Sequence, residues 1–417
     1  MSRNVVFVTI DSLRADHCGF HGYERNTTPT LDRLAEDGIS FENAIAPGPT
    51  TPESLPAMFT GRYPDREGRE GGGANDRQGR IRELIDTSVT IPERFDAMGY
   101  ETAAFTPNPW TSRYFGFDQG FEYFEDFMDK DRSAGIWERM VSSGGSTAMV
   151  ATRLLLSWLQ RENTFKPWRS FVDEVEDWVD QTESPYFLWL FLLDVHFPYL
   201  PANERRTQSR WRTYEADLRL YAEPQDEPYS PRVHDQLVTA YDDALRDTDD
   251  CLEWLYEFTD ETETSMVVTA DHGEGFGDHG TYGHHDQLYE ENVHVPLVVT
   301  GGPSDSVTEP ISLRTLPRLL TDVANEDWPQ VREKTRPFVG TQTADESRQA
   351  IRGTDWKFVR SDDEGELYVL TDGEERPLRD MEALGAEDHL VEQWHSGVRQ
   401  GREIDIAADE VTREGGI

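Results

Sequence analysis

Residues 5–11 read VVFVTID. Six uncharged residues, mostly β-branched or aromatic, run straight into a carboxylate. A strand buried on both faces has this continuous apolar texture, whereas a strand with one wet face alternates. The signature recurs at FLWLFLLD (187–194) and SMVVTADHG (265–273), and VPLVVTG (295–301) reads as a fourth buried strand. ISFENAIA (39–46) reads as a strand with Ile39, Phe41 and Ile45 on one face. Helical stretches lie between. TTPTLDRLAEDG (27–38) opens on Thr-Pro and stops at Gly38. TIPERFDAMGYETAAFT (90–106) reads as helix then strand, and 313–324 as a further helix. Over 235–258, Leu237, Tyr241, Leu245, Leu252 and Leu255 fall near helical spacing and predict a long amphipathic helix. Such alternation predicts an α/β fold, with a mostly parallel central sheet flanked by helices.

The texture changes after about residue 345. QAIRGTDWKFVRSDDEGELYVL (349–370) alternates apolar and polar residues around turn signals, which predicts an antiparallel hairpin. The expected organisation is a catalytic domain over 1–340 and a small C-terminal α+β subdomain, with an antiparallel sheet and an acidic tail, over 341–417. Residues 128–184 read as a mostly helical insertion, and the Gly-rich, charged stretch 65–80 shows no periodicity.

The chain of 417 residues carries 40 Lys plus Arg against 81 Asp plus Glu, a net charge of -41, and only four of the bases are Lys. Such a surface repels nucleic acid and anionic lipid, which excludes nucleic acid as a partner. It also suits a protein working in concentrated salt (a halophilic, acidic proteome), where screening shortens repulsion to roughly 3 Å at 1 M. Cys18 and Cys251 lack metal-binding spacing and read as free thiols. The most apolar run, YFLWLFLLDV (186–195), is too short to span a bilayer, so no transmembrane segment is expected. No signal peptide precedes the strand at 4–10, so the expected location is the cytoplasm.

Ligands bind beyond the carboxyl ends of strands in open α/β sheets. The strand ends carry Asp11, then Asp194 and His196, then Asp271 and His272, and the loop with Thr50 and Thr51 follows the strand at 39–46. Carboxylate and imidazole together suit a divalent cation. Each residue also has a plainer reading. Asp11 fits a helix cap or turn; adjacent Asp271 and His272 are costly to bury unless paired or metal-bound. The segment 271–294 holds five histidines, which suits either a polar surface loop or anion contact and proton transfer. Thr50-x-x-Glu53 fits a capping box, and Thr51-Pro52 a cap with proline in the first turn. A helix begun at Pro52 would carry Pro56 inside it, whereas a start nearer Ser54 would leave Thr51 in the preceding loop. In either register the helix end favours an oxyanion.

Four motifs then stand in register: the segment 5–46 from VVFVTIDSLRAD onward, TTPESLPAMFTGRYP (50–64), LLDVHFPY (192–199) and VVTADHGEGFGDHGTYGHHDQLYEENVHVPLVV (267–299). Together they resemble the sulfatases of the alkaline phosphatase superfamily over about residues 4–325. The resemblance implies an alkaline phosphatase-like fold and a nucleophile position at Thr51. It departs from the family pattern C/S-x-P-x-R: no Cys or Ser is present to become formylglycine, Glu53 replaces the Pro, and Leu55 replaces the Arg. The first metal motif is Asp11-Ser12 where many sulfatases have Asp-Asp. The resemblance implies one divalent cation, Ca, Mg or Mn, on Asp11, Thr51, Asp271 and His272. His196 matches the substrate-contacting histidine of HxP, and His284 or His285 matches the downstream Lys/His before LYEE; Arg14 is a further candidate charge. The implied activity is hydrolysis of sulfate or phosphate esters by a threonine nucleophile. Two alternatives stand beside it: a phosphodiesterase or phosphoglycerol-type transferase on the same site, and a silent member that binds a glycan or anion. The expected partner is an anionic ester on a glycan, a lipid or a small molecule.

Overall fold

The run at 4–10 is central in the computed structural model, which describes residues 3–64, 74–128, 166–182, 185–222, 228–259, 263–284, 287–343, 345–361, 364–371 and 374–378. The large sheet comprises β1 (Asn4–Ile10), β2 (Ile39–Phe41), β3 (Glu101–Phe105), β4 (Tyr123–Glu125), β5 (Tyr186–Leu192), β6 (Thr264–Ala270), β7 (Leu297–Val299) and β8 (Asp305–Val307). Their order is β8-β2-β7-β6-β1-β5-β3-β4. β1 pairs parallel with β5 (Val5 opposite Phe187) and with β6 (Val5 opposite Ser265). Every residue of β1 and β5 is buried, as a strand covered on both faces requires. β7 alone runs against the rest, antiparallel to both β6 and β2. The predicted strand over 295–301 is thereby trimmed to three residues.

The helices are α1 (Pro29–Asp37), α2 (Thr51–Thr60), α3 (Ala74–Thr87), α4 (Ile91–Ala97), α5 (Val172–Gln181), α6 (Arg210–Ala222), α7 (Pro231–Thr259), α8 (Glu290–Val293), α9 (Leu316–Ala324) and α10 (Trp328–Arg332). α7 buries the predicted stripe of Leu237, Tyr241, Leu245, Leu252 and Leu255. α4 starts with a complete capping box, Thr90 with Glu93. No helix among the described residues is long and apolar enough to cross a membrane.

Two readings are corrected. The stretch 39–46 is two strands: after β2 the chain turns at Glu42-Asn43, where Asn43 Nδ2 donates to Thr308 O at 2.6 Å. Ala44–Ile45 then joins a small ladder with His294–Val295 and Ile311–Ser312. Residues 74–80, read as aperiodic, belong to α3. Most of the predicted insertion, 129–165 and 183–184, lies outside the described residues, as does the acidic tail.

The C-terminal unit is a five-stranded antiparallel meander: β9 (Val339–Gln342), β10 (Arg348–Arg352), β11 (Trp356–Ser361), β12 (Glu364–Thr371) and β13 (Glu374–Pro377). It is fastened to the large domain in two ways. Ile351 and Phe358 pack with Ala57 of α2 and with Tyr63, whose hydroxyl donates to Pro47 O at 3.1 Å. Lys357 is fully buried, with Nζ 3.0 Å from Glu290 Oε1 and 2.9 Å from Glu375 Oε1. Arg352 Nη2 adds a contact to Glu290 Oε2 at 3.1 Å. Cys18 and Cys251 are buried free thiols.

Candidate active site

The carboxyl ends of β1 and β6 lie side by side, so Asp11 and Asp271 leave the sheet next to one another. Ser12 bends the chain there with φ 60, the left-handed region that costs a non-glycine residue about 1 kcal/mol. The bend lets Ser12 N reach Asp271 Oδ1 at 3.3 Å, while Ser12 Oγ donates to Asp11 Oδ1 at 2.9 Å. Gly273 follows because a Cβ there would collide with the Glu291 carbonyl.

α2 starts at Thr51 itself. Thr50 precedes it in extended conformation, and no side chain caps the helix. Thr50 Oγ1 donates to Glu53 Oε2 at 3.2 Å rather than accepting from a backbone N–H, so the capping box is not formed. The start nearer Ser54 is therefore wrong, and Pro56 sits inside the helix. Pro56 cannot donate a backbone bond to the Pro52 carbonyl, and burial of nearly every residue of α2 offsets that lost bond. Thr51, in the first turn, is buried at the carboxyl ends of the central strands, with its Oγ1 turned to His272.

Four predicted residues meet there. Thr51 Oγ1 is 3.3 Å from His272 Nε2. The same nitrogen is 3.5 Å from Asp11 Oδ1 and 3.7 Å from Asp271 Oδ2. His272 Nδ1 donates to Gly273 O at 2.8 Å, which leaves Nε2 with a lone pair facing the carboxylates. Burial holds His272 below the usual imidazole range. Burial and the neighbouring Asp271 push the Asp11 carboxyl well above its usual value, against the pull of His284, Ser12 and Asn108. Asp271 Oδ2 is buried with no hydrogen-bond partner among the described residues. Asp11, Asp271 and His272 each offer one atom within 4.8 Å of the others. Two buried carboxylates, an imidazole lone pair and an orphaned oxygen fit a divalent cation, because each alone is costly to bury.

The imidazoles extend away from this group. The His284 ring lies 5.0 Å from that of His272, and the His196 ring 5.0 Å from that of His284. Burial opposes charge on His284, but Glu274, whose Oε1 is 3.2 Å from His284 Nδ1, pushes it up to about 9. Burial, then the His284 charge, pulls His196 down to about 3. His196 Nδ1 donates to Phe197 O at 2.5 Å, so the lone pair of the neutral ring sits on Nε2.

Other candidates lie elsewhere. Asp194 accepts from Trp168 N at 3.3 Å, and burial together with Asp247 pushes its carboxyl up to about 7; no contact among the described residues joins it to the Thr51 group. Arg14 is buried in ion pairs with Asp16 (2.6 Å) and Asp278 (2.9 Å) and donates to Glu274 O, so it fastens the loop after His272. The five histidines of 271–294 do not act as one group: His279 contacts Glu291 at 2.9 Å, and His294 bonds Glu42 O at 2.8 Å. A short hairpin, Gly275–Phe276 with Tyr282–Gly283, separates them. His285 lies outside the described residues.

Three contributors escaped the sequence reading. Asn108 Nδ2 donates to Asp11 Oδ2 at 2.7 Å; its Asn-Pro step after β3 was the one signal of it. Glu274 holds His284, and the Tyr199 hydroxyl holds Glu274 Oε2 at 3.1 Å; their position beside the DHG and HxP motifs is the only sequence hint.

The sequence profile of the sulfatase family matches residues 3–311. The phosphatidylethanolamine transferase Mcr-1 of Escherichia coli is 24% identical over 290 residues, 68% of this chain and 44% of that protein. An ulvan-active sulfatase of Formosa agariphila is 22% identical over 318 residues, 71% of this chain and 55% of that protein. The chain thus spans about half the length of these curated relatives. The phosphonate monoester hydrolase of Agrobacterium radiobacter shares the fold, with a TM-score of 0.62 at 16% identity over 96% of both chains. With a profile match that runs from β1 past β8 and takes in every strand end just described, the chain belongs to the sulfatase family.

Proposed function

We propose that the protein cleaves anionic sulfate or phosphate esters, with Thr51 as nucleophile beside a divalent cation on Asp11, Asp271 and His272. The observation that carries this reading is the buried Thr51 hydroxyl, 3.3 Å from His272 Nε2 beside an Asp271 Oδ2 that has no partner among the described residues. When bound, the cation supplies positive charge to a non-bridging oxygen and favours ionisation of a nearby hydroxyl. The mixed oxygen and nitrogen donor set suits Ca, Mg or Mn.

The chain's own groups divide the remaining work. Thr51 Oγ1, having given up its proton to solvent, bonds to sulfur or phosphorus as the bond to the ester oxygen breaks, and that oxygen takes a proton and leaves as an alcohol. His284, kept as an imidazolium by Glu274, supplies the charge that the buried Leu55 cannot, and holds a proton for the leaving oxygen. His196 is neutral with its lone pair on Nε2, which suits it to take a proton from the water or alcohol that resolves the threonine ester. Two imidazoles pushed to opposite sides of neutrality are a recognisable acid and base pair. Threonine lacks the exit route that formylglycine gives a sulfated enzyme, which favours phosphate mono- or diesters. Transfer to a second alcohol is the alternative outcome of the same threonine ester, and the likeness to a phosphatidylethanolamine transferase supports it.

The test begins with protein purified in concentrated salt and assayed for bound metal. Nitrophenyl sulfate, phosphate and phosphodiester esters are then offered to the native chain and to Thr51→Ala. The expected result is metal-dependent turnover that falls by about a thousandfold or more in the variant. Unchanged turnover in Thr51→Ala removes the nucleophile. Metal-free protein without turnover supports a silent, anion-binding member instead.

A further inference from the structure

The C-terminal meander meets the loop after His272 through an enclosed group of charges that the Thr51 chemistry does not use, with His279 at its centre. One ring nitrogen, Nδ1, is 2.9 Å from Glu291 Oε1; the other, Nε2, is 3.2 Å from Glu375 Oε2. Glu291 comes from α8 and Glu375 from β13, so the imidazole joins two elements far apart in the chain. Its ring stacks on Tyr289 at 3.8 Å with 2° between the planes, which fixes its direction. The Glu375 side chain is 1% exposed, and its oxygens meet only His279 and Lys357 among the described residues. Lys357 is shared with Glu290, which also takes Arg352.

The other neighbours supply no further cation. Tyr368 of β12 meets the His279 ring edge-on at 6.3 Å, and its hydroxyl bonds Glu366. Asp278, next to His279 in sequence, is turned to Arg14. His294 lies 3.5 Å from Glu290, and burial keeps it below the usual imidazole range. Three largely buried carboxylates, Glu290, Glu291 and Glu375, thus face two permanent cations among the described residues, Lys357 and Arg352. A neutral imidazole donates through one nitrogen and turns a lone pair out from the other, so it cannot serve both of its carboxylates. An imidazolium donates from both nitrogens and brings the cations level with the acids.

We propose that His279 is a proton-dependent clasp, an imidazolium charged from solvent that fastens β13 of the meander to α8 and to the hairpin before His284. Burial opposes the charge, but the bond to Glu291 and the charges of Glu291 and Glu375 push the imidazole above its ordinary value. The clasp's contribution is therefore complete below the ordinary imidazole range and is lost as pH rises through the raised value. Its position matters to the site, because Gly273 N, one residue after His272, donates to Asn292 O of α8 at 2.8 Å. His279, Glu291 and Glu375 each offer an atom within 4.8 Å of the others, but a divalent cation is the poorer occupant. The Lys357 ammonium already stands 2.9 Å from Glu375.

The clasp needs no ester chemistry, so its test uses no substrate. The full chain is melted in concentrated salt with chelator from pH 6 to pH 9.5. H279Q should melt about 2 °C below the native protein at pH 6 and approach it as pH rises to 9.5. E375Q removes the surplus carboxylate, so its sign is opposite: about 2 °C above native at pH 9.5 and no gain at pH 6. The His279 ring, assigned by NMR as the signal missing from H279Q, should titrate above the ordinary value of about 6.5. Hydrogen exchange at pH 6 should be about tenfold faster in β12 and β13 of H279Q, with β1 and β5 unchanged. An H279Q deficit equal at both pH values, a ring that titrates at or below the ordinary value, or faster exchange spread over the whole chain overturns the clasp. So does an E375Q protein that melts below native at pH 9.5. Zinc that raises the melting temperature of native protein but not of H279Q, once chelator is removed, also overturns it and makes the group a metal site.

Discussion

Replacing Asp271 with Asn should stabilise the metal-free protein and abolish its response to metal. Asp11 and Asp271 are both fully buried, and their inward atoms lie within 4.8 Å. Two like charges at that spacing repel by on the order of 3 kcal/mol at an effective dielectric of about 20. The substituted carboxamide keeps the oxygen that accepts from Ser12 N and His272 N, and it places an NH2 group where the orphaned Oδ2 now faces Asp11. Unfolding entropy of about 2.1 cal/mol/K per residue over 417 residues makes roughly 0.9 kcal/mol equal to one degree. Metal-free Asp271→Asn should therefore melt about 3 °C above metal-free native protein. Cation at a thousandfold excess over its Kd should add about 4 kcal/mol, or about 5 °C, to the native chain and nothing to the variant. The sign with pH is fixed. Burial and Asp271 raise the Asp11 pKa, so its favourable contribution is present at low pH and is lost as pH rises through the raised value. The variant's gain should accordingly shrink in acid. The assay is scanning calorimetry in concentrated salt after chelation, with and without Ca, Mg or Mn. A variant that melts below the native metal-free protein, or a native protein indifferent to all three cations, refutes the reasoning.

Further outcomes are equally specific. Glu274→Gln removes the carboxylate that holds His284 up at about 9, so ester turnover at pH 8 should fall by about ten- to a hundredfold, with a smaller loss at pH 6; equal activity at both pH values would show that the His284 charge is not used. Asp194, pushed up to about 7, contributes stability below the ordinary carboxylate range that is lost as pH rises towards 7. Asp194→Asn should therefore raise Tm at pH 7.5 and leave it nearly unchanged at pH 4, as thermal melts would read. Dialysis from about 3 M salt to 0.1 M should unfold the protein, because its net charge of -41 is then barely screened; circular dichroism that ignores salt would contradict this.

The central strands were legible because burial on both faces writes itself as an unbroken apolar run, in β1 and β5 above all. Asp11, Asp271 and His272 were legible because each stands where such a run ends. The resemblance to sulfatases added Thr51, and the fold brings its hydroxyl to His272, which itself lies beside both carboxylates. Direction was not legible in β7: three residues carry no mark of antiparallel pairing, which its neighbours impose. The choice between the two starts of α2 was not legible because local rules disfavour Pro56 inside a helix, whereas burial of Leu55, Ala57, Met58 and Phe59 outweighs one lost bond. Asn108 reaches Asp11 across 97 positions and Tyr199 reaches Glu274 across 75, which no spacing rule encodes. The histidines of 271–294 looked alike in sequence and parted because a two-strand hairpin turns His279 away from His284.

The meander at the end of the chain bears on how the enzyme could be divided. Its apolar side supports the helix whose first residue is Thr51, and its buried lysine grips Glu290, six positions beyond His284. A shortened chain stopping near residue 340 would not be a smaller version of the same site. It would strand Glu290 without Lys357 and Arg352 and bare the flank of the helix that starts at Thr51, so a segment far along the sequence acts as the site's keystone.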